Sequence, residues 1–229
     1  MNGITRLITS SVGKKYLMAI TGTILALFAL GHMCGNLQFF LAPEWINNYA
    51  HHLQHLPYGL LWVIRLVMFV TIAIHVVVGI SLTLHNVQAR PGYEVDNTIQ
   101  ASFASRTMIW SGLLFAVFIV FHIMHYTAKN VQDFSAIPMF NLEGVGLVPN
   151  VKAIMIQGFS VVSISVCYLI AVAMVGLHLS HGVSSVFQSL GLRNEVWRCR
   201  LNTVAIFYGL VVFCGFASIP LSVLLSKAF

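Results

Sequence analysis

Five long apolar stretches fix what this chain can become: roughly Tyr16–Leu41, Tyr58–Asn86, Thr107–Thr127, Val151–Phe187 and Thr203–Leu225. Each supplies at least the 20 or so mostly apolar residues that a helix needs to cross a bilayer core. Only 8% of the 229 residues are charged and 58% are hydrophobic, where a soluble domain is about a quarter charged. So few charges cannot cover a water-facing surface, and lipid must be the solvent. The expectation is an all-α integral membrane protein, one domain over residues 1–229, built as a five-helix bundle. The first apolar run is too long for the core of a cleavable signal. The fourth is longer than a bilayer requires and should tilt or project. Pro57, Pro91, Pro138 and Pro149 fall in connections, while Pro220 lies inside the fifth run and should kink it.

The loops carry an orientation. With the N-terminus inside, the inner segments hold Arg6, Lys14, Lys15, Arg90, Arg106, Arg193, Arg198 and Arg200, and the outer ones only Lys129, Lys152 and Lys227. That asymmetry follows the positive-inside rule and places the N-terminus in the cytoplasm. The net charge of +6 is explained the same way. The basic residues form no patch with interleaved aromatics, so nucleic acid is not expected as a partner. The cysteines Cys34, Cys167, Cys199 and Cys214 are scattered, with no CxxC or CxxCH; they read as small apolar fillers rather than a metal site or a covalent haem attachment.

Ten histidines are present, and several lie deep in apolar helices, where an ionisable side chain is costly and marks a functional candidate. Their depths sort them. His32 lies about nine residues before the outer end of helix 1 and His122 about seven before that of helix 3, so at about 1.5 Å per residue they share a depth nearer the outside. His75 on helix 2 and His178 on helix 4 both lie toward the inner side. Two pairs, each joining two helices, match the geometry of two stacked bis-histidine haems. Gly79 and Gly182 follow His75 and His178 by four positions, and Gly31 and Gly35 flank His32, leaving room for a flat macrocycle or for close helix packing. A single membrane histidine also suits a packing contact or a proton relay. His125 and His181 stand three residues after His122 and His178, on nearly the same faces, and periodicity leaves them open as rival ligands. His51, His52, His55 and His85 read as interfacial.

Taken together, these residues resemble the di-haem cytochrome b subunit of succinate:quinone oxidoreductases, the succinate dehydrogenase and fumarate reductase family. The resemblance covers nearly the whole chain. It rests on Ser10–Lys15 (SSVGKK), Gly31–Gln38 (GHMCGNLQ), Ile74–Gly79 (IHVVVG), Ser105–Gly112 (SRTMIWSG), Phe121–Tyr126 (FHIMHY) and Leu177–Gly182 (LHLSHG), in that order across five spans. It implies that the first histidine of each doublet is the ligand, so that His75 and His178 hold a proximal haem b, and His32 and His122 a distal one. It also implies a flavoprotein and an iron–sulfur subunit docked on the cytoplasmic face of a bacterial inner membrane. Electrons would pass between them and a membrane quinone, menaquinone by resemblance. Dicarboxylate chemistry would belong to the other subunits. Some fumarate reductases of this kind carry a glutamate two residues before the last haem ligand; here that position is Gly176, which puts a proton path of that type in doubt.

Quinone chemistry needs proton donors or acceptors at the bilayer edge, and the outer connection offers Glu44, His51, His52, Gln54 and His55. Arg65 is the sole basic residue well inside a span. It sits about ten residues before His75, ~15 Å nearer the outside, where it should pair with a propionate of the distal haem or snorkel to the interface. Lys15 and Arg106 are placed to serve the proximal propionates. Three other readings compete: the di-haem anchor of another quinol-oxidising enzyme, a proton-coupled transporter with histidine relays, and a purely structural anchor without haem, which leaves the paired depths unexplained. The second expects polar, helix-breaking residues near the midplane, of which the spans hold few.

Overall fold

The computed structural model describes residues 9–88 and 103–228; Arg6, Arg90 and Pro91 lie outside them. The first helix, α1 (Ser11–Leu37), begins where Ser10, in extended conformation, accepts a hydrogen bond from the Gly13 amide at 3.0 Å. This is a serine N-cap, which satisfies one of the amides a helix start leaves unpaired. A 3-10 turn (Gln38–Phe40) ends it. α2 (Pro43–Gln54) follows, opened by Pro43 and with Glu44 in its first turn, both favourable at a helix N-terminus. The remaining helices are α3 (Leu60–Gln88), the single turn α4 (Phe103–Arg106), α5 (Met108–His122), α6 (Val151–Phe159), α7 (Val162–Ser189) and α8 (Glu195–Ala228). α5 runs on into a π turn over Ile123–Thr127. A two-stranded antiparallel hairpin, β1 (Phe140–Leu142) and β2 (Gly146–Val148), joins it to α6, with Asn141 opposite Leu147.

Among the described residues, five segments are long and apolar enough to cross a membrane: Ser11–Phe40, Pro57–Gln88, Met108–Thr127, Val162–Ser189 and Glu195–Ser226. Large side chains such as Trp62, Leu66 and Phe69 on α3, and Trp110 and Val117 on α5, face outward. In water such a surface would not be stable alone; in hydrocarbon it is the expected one, because helices satisfy their own backbone groups there. The chain is thus a multi-pass membrane helical bundle with one short hairpin.

Inside the bundle, α7 and α8 form the closest pair, and α1 packs on α3, α7 and α8. Close approach is set by glycine: a Cβ on Gly176 would stand 3.0 Å from the Gly209 carbonyl oxygen, and one on Gly209 would collide with that of Gly176. Gly176 therefore has no room for a side chain. Tyr208 ties α8 to α1 by donating to the Ala26 carbonyl at 2.6 Å. At one end of the bundle, α2, the hairpin and α6 gather over a core of Phe39, Ile46, Met155, Phe159, Tyr168, Ile219 and Val223; this is the hairpin end below.

Three sequence expectations need correction. The fourth run is not one helix: it breaks at residues 160–161, where Val161 is extended (φ −87°, ψ 114°) and Ser165 Oγ donates to the Phe159 carbonyl at 2.6 Å, so the crossing segment is Val162–Ser189. The outer connection is not merely a loop but the helix α2, whose polar and apolar residues share no simple run. The four cysteines, expected as fillers, are free and exposed on the bundle surface. Pro220 does lie within α8, fully buried.

Candidate functional site

The structure brings the deep histidines together two by two. His75 of α3 and His178 of α7 have ring centres 6.2 Å apart, with planes at 64°. His32 of α1 and His122 of α5 have ring centres 5.9 Å apart, with planes at 81°. The levels are fixed by α1. Thr21 touches His75 at one level and His32 stands eleven residues on, about 16 Å along the helix axis. The His32–His122 pair is the one nearer the hairpin end. A metal–imidazole bond is about 2 Å, so imidazoles on opposite sides of one ion hold their ring centres on the order of 6 Å apart. Both pairs have that spacing. Among the described residues no three His, Cys, Asp or Glu side chains converge as a metal group.

Hydrogen-bond bookkeeping shows which nitrogen each ring has free. The Thr21 hydroxyl has one proton, and it goes to the Leu17 carbonyl at 2.7 Å. Its contact with His75 Nδ1 at 2.9 Å must then be an imidazole N–H donating to Oγ1, which leaves Nε2 as the lone pair. Ser111 repeats the device: its hydroxyl donates to the Met108 carbonyl at 3.1 Å and so accepts from His178 Nδ1 at 3.2 Å. A ligand histidine held by its other N–H in this way is the usual arrangement around metals.

His122 reaches the same state through a longer chain. Gln132 Nε2 donates to the Gln157 carbonyl at 3.2 Å, which turns Gln132 Oε1 toward His125 Nε2, also at 3.2 Å. His125 Nε2 is therefore protonated and its Nδ1 is an acceptor, which takes the Tyr168 hydroxyl proton at 3.0 Å. Tyr168 Oη accepts in turn from His122 Nδ1 at 3.2 Å. His122 keeps Nε2 free, while both nitrogens of fully buried His125 are spent. This separates the rivals that sequence spacing left open. In the other doublet, His181 Nε2 faces Ser185 Oγ at 3.0 Å. His32 is held differently, stacked on Phe28 (5.5 Å, 8°) and tilted against Phe216 at 5.8 Å. The Asn36 amide bonds its carbonyl at 2.7 Å and stays 3.4 Å from both ring nitrogens.

The glycines resolve into separate roles. Gly35 makes room for Tyr49, whose hydroxyl a Cβ there would meet at 2.7 Å, and Gly79 lies against Met18. Gly31 and Gly182 have open space beside them. The glycines in contact with the ring pairs are two that spacing to a histidine did not single out: a Cβ on Gly22 would meet His75 Cε1 at 3.4 Å, and one on Gly112 would meet His178 Cε1 at 3.1 Å.

The other expected site residues are dispersed. Arg65 is exposed, its guanidinium 4.7 Å from the Trp62 ring centre. Lys15 and Arg106 are exposed toward the end opposite the hairpin, and there it is the neighbouring Lys14 that makes a bond across helices, to Ser81 Oγ at 2.7 Å. His85 is exposed near the end of α3. The polar residues of α2 divide between two cavities. Glu44 lines an open cleft of ≈ 220 Å³ with Trp45, Asn48, Leu142 and Glu143. His51, Gln54 and His55 line a second of ≈ 20 Å³ with Asn47, Ala50, Val148, Pro149 and Val151, while His52 lines neither. Desolvation, and then the neighbouring His55 and His52, lower the pKa of His51 from its ordinary value.

Fold and site together define a class: a five-span helical bundle with two intramembrane histidine pairs. No family model, curated protein or solved structure matches the chain.

Proposed function

We propose that this chain is the cytochrome b membrane anchor of a succinate:quinone oxidoreductase, carrying two haem b groups on His75 with His178 and on His32 with His122. The observation that carries the reading is the histidine geometry: two pairs at the spacing of opposed ligands, with Nε2 left free on His75, His178 and His122. Bound haem would supply one-electron transfer. What the chain contributes is orientation. Thr21 and Ser111 hold their imidazoles by Nδ1, Tyr168 holds the third, and the apolar helices keep water from both pairs.

In this reading the N-terminus is cytoplasmic in a bacterial inner membrane. Soluble flavoprotein and iron–sulfur subunits dock at that end, beside Lys14, Lys15 and Arg106. Quinone, menaquinone by resemblance, reacts at the hairpin end. The Glu44 cleft suits it better than the histidine face of α2, because ≈ 220 Å³ accommodates a quinone ring and ≈ 20 Å³ does not. Glu44 and Glu143 there can take up the protons that quinol oxidation releases. Gly176, pressed on α8, leaves no place for a carboxylate proton carrier beside His178.

The test is reduction of the isolated complex. Adding succinate, and separately a menaquinol analogue, should bring up the absorption bands of reduced b-type haem in the complex of the chain with its soluble partners. A complex whose haems respond to neither donor would remove the succinate–quinone assignment while leaving the haem sites to be judged by their own spectrum.

A further inference from the structure

One face of α2 has an arrangement that electron transfer does not use. Asn47, Ala50, His51 and Gln54 recur at helical spacing and, with His55 at the helix end, face Val148, Pro149 and Val151 across the ≈ 20 Å³ cavity. That volume exceeds the 10–15 Å³ or so needed for one water molecule. His51 and His55 are four residues apart, with ring centres 4.1 Å apart and planes at 30°. His55 Nδ1 lies 2.8 Å from the His51 carbonyl oxygen; since a carbonyl only accepts, Nδ1 carries the proton and Nε2 is the free lone pair. A backbone carbonyl that fixes one ring nitrogen is a recurring support for a metal-binding histidine.

Asn47 supplies an independent sign that something belongs in this cavity. It is 1% exposed. Its Oδ1 is committed to the Val151 amide at 2.7 Å, so the amide cannot turn over without losing that bond. Its Nδ2 is left as a buried donor with no partner, a costly state unless an acceptor sits beside it. An ion-bound water in the cavity would be that acceptor.

We propose that α2 carries a binding site for one divalent transition-metal ion, with His51 and His55 as its protein ligands and water completing the shell beside Asn47. Imidazole selects borderline ions, and at a two-nitrogen site Cu²⁺ binds most tightly, followed by Ni²⁺ and Zn²⁺. His52, with its ring centre 6.0 Å from that of His51 and outside the cavity, is not a ligand and serves as the internal control. Both ligands come from α2 and its C-terminal cap, so the site stands whether or not the deep histidines carry haem.

The experiment titrates the purified, tag-free full chain in detergent with CuCl₂, followed by electron paramagnetic resonance and calorimetry, with ZnCl₂ as competitor. One Cu²⁺ per chain with coupling to two nitrogens is expected, displaced by excess Zn²⁺. His55→Ala, at an exposed position, and His51→Ala should each weaken binding at least ~10-fold; His52→Ala should match the unmodified chain. The proposal is overturned by an unmodified chain that binds no copper, by His51→Ala/His55→Ala retaining full binding, or by His52→Ala losing as much as His55→Ala.

Discussion

The two histidine pairs reach nearly the same spacing, 6.2 and 5.9 Å, by different means. The pair His75–His178 is supported locally. One hydroxyl on each neighbouring helix, Thr21 and Ser111, takes the Nδ1 proton, and Gly22 and Gly112 let backbone lie against the rings. The pair His32–His122 is supported at long range. His122 depends on Tyr168, which depends on His125, which depends on Gln132 and the Gln157 carbonyl, so its orientation is tied to the loop after α5 and to α6. His32 is packed by aromatic rings. A locally supported pair should tolerate change elsewhere in the molecule; a pair at the end of a chain of bonds should not.

Substitutions at the ligands should have the largest effect and break the comparison outright. His75→Ala or His178→Ala should remove one of two haems and leave the other's spectrum intact, and His122→Ala should do the converse, as read by haem content per chain. His125→Ala should keep both haems but shift the spectrum of the His32–His122 site alone. A full loss of that haem in His125→Ala, with retention in His122→Ala, would exchange the two roles.

Tyr168→Phe comes next. It removes one hydroxyl and leaves two imidazole nitrogens without their partner, at about 1–3 kcal/mol for each buried group left unsatisfied. Loss of such an outer support costs about 10–100-fold in metal-site affinity. Haem dissociation measured against an apo-globin acceptor should accelerate at the His32–His122 site only. Gly112→Ala follows, since its Cβ would stand 3.1 Å from His178 Cε1. It should tilt that ring and change the His75–His178 haem, with Gly22→Ala milder because its closest approach is 3.4 Å.

The fold and the pairing were legible because both follow from depth. Apolar run length sets the spans, and at a fixed rise per residue the positions of His32, His75, His122 and His178 along them set which rings can meet. What was not legible depended on contacts across helices. Neither Thr21 nor Ser111 is spaced to a histidine in sequence, being 54 and 67 residues away from its partner. Gly35 looked like space for a cofactor because it lies near His32, yet it faces α2 and Tyr49. The break at residues 160–161 was invisible to hydropathy, since Ser160 and Val161 sit in an apolar context and the break is stabilised by a serine hydroxyl on a backbone carbonyl.

Arg65→Leu should have the smallest effect. Its guanidinium rests on Trp62 at an exposed position, an interaction of about 0.5–1 kcal/mol, so both haem spectra and potentials should be unchanged. A shifted potential at the His32–His122 site would instead tie Arg65 to a haem propionate.

The most direct measurement is a pyridine haemochrome assay on the purified, folded chain, with a reduced-minus-oxidised spectrum of the same sample. Two non-covalent b-type haems per chain are expected, falling to one when either pair loses a histidine. A folded, detergent-extracted chain that carries no haem, even when haem is supplied during expression, would contradict the assignment of both pairs.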